Sequence, residues 1–132
     1  MRRNVYSETR RLYGEEHEDT LLEAFNYADD LVNLQHFEEA KALLRKTMPV
    51  ARRVLGKGDQ TTLRMRWVYA QSLCGDANAT LDDVYEAVNS LEETTRTARR
   101  VFGGAHPLTV EIEDDLRGAR GALAARETPG SS

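Results

Sequence analysis

Residues 99–109 read RRVFGGAHPLT. Nearly the same phrase stands at 52–62, as RRVLGKGDQTT, and at 10–20, as RRLYGEEHEDT. Each copy joins two arginines to two apolar residues and a glycine, then closes six residues later on a threonine. A catalytic motif acts through one constellation and is normally written once. A phrase written three times marks the joints of a repeating structure. Gly14 and Gly56 are 42 residues apart, Gly56 and Gly103 are 47, and Thr20, Thr62 and Thr109 keep the same intervals. Periods of this size belong to helical arrays, in which each unit buries its apolar face on a neighbour.

Between the joints, apolar residues recur at helical spacing. After Thr20, read as a helix N-cap, come Leu21, Ala24, Tyr27, Ala28 and Leu31. A break falls at 33–36. A second helix then starts near Phe37, carries Ala40, Leu43, Leu44, Met48, Ala51 and Leu55, and stops at Gly56. Arg52 and Arg53 lie in its last turn, where positive charge suits the helix dipole. The basic pair therefore has a local structural reason in every copy. The second unit repeats the plan: a helix over about 62–73, a turn at 75–79, and a helix from Thr80 to Phe102. Aligning Phe37-Glu38-Glu39-Ala40 with Val84-Tyr85-Glu86-Ala87 puts the five extra residues into the turn and the start of that helix. The third unit supplies one helix, from Pro107 to about Arg126. Pro49 lies inside the first unit's second helix, which predicts a kink or a division near Met48.

The expected organisation is one domain over 1–126, all-α, of about six helices in antiparallel pairs. Residues 1–13 read as the end of a second helix, 14–55 as the first repeat, 56–102 as the second, 103–126 as a partial third, and 127–132 as a disordered tail. The composition agrees: 132 residues, 40% hydrophobic and 30% charged, with only 3 prolines. A formal charge of -4 argues against non-specific nucleic-acid binding, which needs a basic field. No apolar run reaches the roughly 18–20 residues of a membrane span, and the N-terminus lacks the apolar core of a signal peptide. The single cysteine, Cys74, reads as a small apolar residue near a helix end, and fits a reducing, cytoplasmic setting.

Nothing converges into an enzyme. His17 and His106 hold equivalent joint positions, with Asp59 in the middle copy. A ligand set or a catalytic base would not recur at each joint while changing identity, so a helix-entry role is expected. The acidic run 15–19 lacks the alternating spacing and turn glycine of a calcium loop. Asp82/Asp83 and Asp114/Asp115 are adjacent, and successive helical residues do not face each other. No catalytic residue, metal site or cofactor is expected.

The pieces YG…H…T at 13–20, NYA..L at 26–31, HFEEA..LL at 36–44, VYA at 68–70, VYEA at 84–87 and FGGAHPLT at 102–109 resemble tetratricopeptide repeats of the kinesin light chain type. The resemblance covers nearly the whole chain, and the 42-residue period is its most specific part. It implies a right-handed superhelical array. Its function would be to bind a protein or peptide, with the first helix of each pair lining a concave face.

Mapped through the repeat motif, the groove positions are Phe25, Asn26, Trp67, Val68, Asp114 and Asp115. Leu22, Arg64 and Glu111 lie one turn earlier, Asp29 and Gln71 one turn later. Trp67, the only tryptophan, is either a binding anchor or a packing residue. Arg64 and Arg66 either form a solvated helix face or engage an acidic peptide. The resulting expectation is a non-catalytic interaction scaffold. Its alternative is a self-association segment of a longer repeat protein, whose open ends expose apolar stripes.

Overall fold

The computed structural model describes residues 2–127, and all its regular structure is helical. The helices are α1 (Arg2–Tyr13), α2 (Glu18–Asn33), α3 (Phe37–Leu55), α4 (Gln60–Cys74), α5 (Leu81–Phe102) and α6 (Pro107–Glu127). This is the expected all-α repeat of six helices. Glu127 closes α6, and the rest of the expected tail, 128–132, lies outside the described residues.

The joints explain why the chain turns where it does. Gly14, Gly56 and Gly103 all have positive φ, at 90°, 100° and 88°. The amides of Gly56 and Gly103 still bond the carbonyls of Arg52 and Arg99 before the chain departs. The next helix is capped by the residue three positions after the glycine. The Nδ1 atoms of His17 and His106 accept from the amides of Asp19 and Leu108, at 3.0 and 3.1 Å. Asp59 Oδ1 accepts from Thr61 at 2.8 Å. An imidazole nitrogen and a carboxylate do the same work, which is why the position tolerates either.

The reading of Thr20 as the cap is therefore corrected. Its helix starts two residues earlier, and Thr20, Thr62 and Thr109 sit buried one turn inside. Thr20 and Thr62 donate back to the carbonyls of Thr9 and Ala51, eleven residues earlier in the chain, each at 3.4 Å.

Each helix packs on its neighbours in sequence, and α2 also packs on α4. The shared core holds Leu21, Ala24, Ala28, Leu44, Leu63, Ala70, Leu73, Leu91 and Ile112, all essentially inaccessible. Tyr69 ties three helices together: its hydroxyl accepts from Arg45 Nε at 3.2 Å and donates to Glu86 at 2.8 Å.

Pro49 does not divide α3, which runs unbroken from Phe37 to Leu55. The ring lies on the exposed face, as does Arg45 one turn earlier. The Arg45 carbonyl that loses its amide partner is thus open to water rather than buried, and the helix continues past it.

The two helix pairs differ where the insert falls. Three residues, 34–36, join α2 to α3, and six, 75–80, join α4 to α5; α5 has 22 residues against 19 in α3. The longer turn is built rather than slack. Asp76 accepts from the Asn78 amide, Thr80 and Asp83 form a reciprocal capping box, and Arg126 of α6 donates to the Ala79 carbonyl at 2.7 Å.

Candidate functional site

Helices α2, α4 and α6, the first member of each pair, share one side of the molecule. Whereas the backbones of α2 and α4 lie close together, those of α4 and α6 stand farther apart and meet through side chains. The space between them is an open cleft of about 590 Å3. A recess beneath Tyr6 and Thr20 holds only about 20 Å3, little more than one water.

Seven of the eleven groove residues singled out in the sequence line the cleft: Phe25, Asp29, Arg64, Trp67, Val68, Gln71 and Glu111. Leu22 is exposed on α2 and Asn26 half-buried, and neither lines it. Asp114 is exposed, pairs with Arg117, and lines an adjoining slot with Asp115, Cys74, Gly118 and Ala122.

Trp67 faces both the core and the cleft. It is half-buried and packs against the core, yet part of it lines the cleft. Its indole N–H donates to the Asp115 carboxylate, and the Gln71 amide donates to the same oxygen at 3.0 Å. This bridge from α4 to α6 separates the cleft from the slot. Across it, burial first and the Asp115 charge second push the Cys74 thiol above its usual value, which makes it a poor nucleophile.

Arg66 is not a cleft residue. It turns towards α5, where its guanidinium pairs with Glu93 at 3.0 Å and is largely buried. The pairing of Arg64 with Arg66 as a joint anion receptor is therefore corrected. Helical geometry accounts for it: residues two apart point to different faces.

Sequence reasoning missed His106, Pro107 and Leu108, which wall the cleft at the start of α6. They were read only as a joint, yet a joint that starts α6 also sets the edge of the space beside it. The proline at the first helical position and the histidine cap were the available signals. Among the described residues no cluster of three or more His, Cys, Asp or Glu side chains could hold a metal ion. None of the described helices is long and apolar enough to cross a membrane.

Residues 26–60 match the family model of the tetratricopeptide repeat. The match runs from the middle of α2, through α3, to the first residue of α4. It therefore covers the second half of α2, all of α3 and the joint that follows. No curated protein and no solved structure matches the chain. Tetratricopeptide repeats generally mediate protein–protein interaction.

Proposed function

We propose that the protein is a non-catalytic interaction scaffold that docks an extended peptide in the cleft between α4 and α6, on the concave face of the array. The observation that carries this reading is the cleft itself. Seven groove positions drawn from three helices converge on it, around a partly open tryptophan held in place by Asp115. Large aromatics in such settings serve as anchors, and no covalent step is required of any residue. In this proposal residues 14–55 and 56–102 are the two repeats, flanked by α1 and by α6 as the opening of a third. Kinship with the kinesin light chain type belongs to the same reading, supported by the 42-residue spacing of the first two joints.

Self-association through an apolar open end is less well supported. Leu21 and Leu63 are buried, but their counterpart in α6 is Val110, 43% exposed, and charged residues follow along that side of α6. Glu113 pairs with Arg99 and Arg120 with Glu92, which ties charged positions of α6 to α5.

The test is selection of a random twelve-residue peptide library on the folded protein, followed by amide chemical-shift mapping of the winning peptide. Shifts centred on Trp67, Gln71 and Glu111 are expected. Enrichment of nothing, or shifts centred on α1 and α3, overturns the proposal.

A further inference from the structure

The cleft carries a charge imbalance that bears on its occupant. The carboxylates of Glu111 and Asp115 stand on or beside its walls, and one cation, Arg64, stands among them. Arg66 does not offset them, since it is committed to Glu93 on the α5 side. Both groups that bond Asp115, the Trp67 indole and the Gln71 amide, are neutral donors, so its negative charge is held in position without being cancelled. Among the described residues neither Glu111 nor Asp115 has an ion-pair partner. The same space presents the rings of Phe25 and Trp67. A cation gains both from carboxylates and from an aromatic face, while an anion meets repulsion from Glu111 and Asp115. The chain's formal charge of -4 adds a field of the same sign.

From this we infer that the occupant of the cleft is a basic, extended peptide segment, with a lysine or arginine side chain lying against Trp67 and reaching towards Glu111. The inference rests on the docking reading and gives it a chemistry. It is the reverse of the acidic peptide that the two arginines of α4 suggest in the sequence alone.

Trp67 is the sole tryptophan, so its emission reports on this cleft alone. The experiment titrates the protein with three series of capped ten-residue peptides of equal length: lysine/arginine-rich, glutamate-rich, and uncharged with one aromatic residue. The basic series is expected to shift Trp67 emission saturably, with affinity falling about tenfold between low salt and roughly 0.5 M sodium chloride. Glu111→Lys, on an exposed side chain, is expected to weaken the basic series by about tenfold. Glu8→Lys, which changes the net charge equally on α1 outside the cleft, is expected to leave it within about twofold. Retained circular dichroism and melting temperature show that both variants fold.

Preference for the glutamate-rich or uncharged series, with the emission change intact, overturns the basic occupant while leaving peptide docking in place. Equal losses in the Glu111 and Glu8 variants also overturn it, because the attraction is then one of net charge. Absence of binding by all three series overturns docking in the cleft together with the chemistry built on it.

Discussion

Helices α2, α3 and α4 on one side of the molecule, and α4, α5 and α6 on the other, are built to the same plan and end differently. In the first group α2 lies against α4. In the second, α4 and α6 stand apart and meet through the Trp67–Asp115 bridge. The joints that launch α4 and α6 are alike: a glycine at positive φ, a side-chain cap three residues on, and a buried threonine. What differs lies between the joints, in a turn of six residues rather than three and a longer α5. Conserving the joint while lengthening what it spans turns a packed seam into a usable space. Mutations at equivalent positions can break this comparison.

The largest contrast is expected at one register position. Leu63 is fully buried in α4, and Val110, its counterpart in α6, is 43% exposed. Leu63→Ala should cost about 2–5 kcal/mol through lost burial and the cavity it leaves. Val110→Ala should cost under about 0.5 kcal/mol, as surface changes do. Urea unfolding of the two variants measures both. Equal costs would mean that α6 is packed like the inner helices.

The joints should instead respond alike. Gly56 and Gly103 hold φ 100°, ψ 156° and φ 88°, ψ 159°, a region closed to residues with a Cβ. Gly56→Ala and Gly103→Ala should each cost about 1–3 kcal/mol by strain. A cost at one site alone would show that the joints are not equivalent in energy, despite their matching geometry.

Next in size is the bridge. Asp115→Ala leaves the Trp67 N–H and the Gln71 amide without their common acceptor. Both groups are half-buried, so water replaces part of what is lost, and the cost should be about 1–2 kcal/mol. Trp67 emission should move to the red as its ring gains water. An unchanged spectrum would show that packing alone holds the indole.

Much of this architecture is legible in the sequence, because a joint must satisfy local rules wherever it falls. The glycine, the basic last turn and the helix entry are set by residues within about ten positions of one another. Thr20 misled for an instructive reason: threonine is a good cap, but here a tertiary bond to Thr9 claims its hydroxyl, and His17 caps instead. The cleft was legible only in part. Repeat register assigns equal roles to equal positions, and that holds while neighbouring helices pack alike. It fails at α6, where Asp115 rather than Asp114 reaches Trp67, and at Arg66, whose partner Glu93 belongs to a helix that register does not consider.

The threonines offer a finer test of the same comparison. Thr62 donates to the Ala51 carbonyl, whereas the Thr109 hydroxyl is buried with no hydrogen-bond partner among the described residues. Valine keeps the shape and deletes the hydroxyl. Thr62→Val should cost about 0.5–1.5 kcal/mol, and Thr109→Val should be neutral or slightly stabilising, since it removes an unpaired buried polar group. The pair discriminates well because solvent, propensity and volume change identically at both sites.

The smallest expected effect is one of pH, and it too falls on the second group of helices only. Glu93 of α5 faces Arg66 and Lys57, at 3.0 and 3.5 Å. The Arg66 charge above all holds its carboxyl below the usual range, against the opposing effect of burial. A carboxyl that ionises more readily in the folded than in the unfolded chain stabilises the fold above its unfolded value of about 4.3. That contribution fades as pH falls through the lower, folded value. Glu93 is 39% exposed, so screening keeps the effect to a few tenths of a kcal/mol. In the first repeat the counterpart of Glu93 is Lys46, and that of Arg66 is Ala24, so no equivalent ion pair exists there. Glu93→Gln should therefore be slightly less stable than the parent chain at pH 7, and the gap should close between about pH 5 and pH 3. Denaturant midpoints measured across that interval check the sign. A gap that persists at pH 3 would assign the loss to packing of the side chain, and the charge between α4 and α5 would then contribute nothing to holding them together.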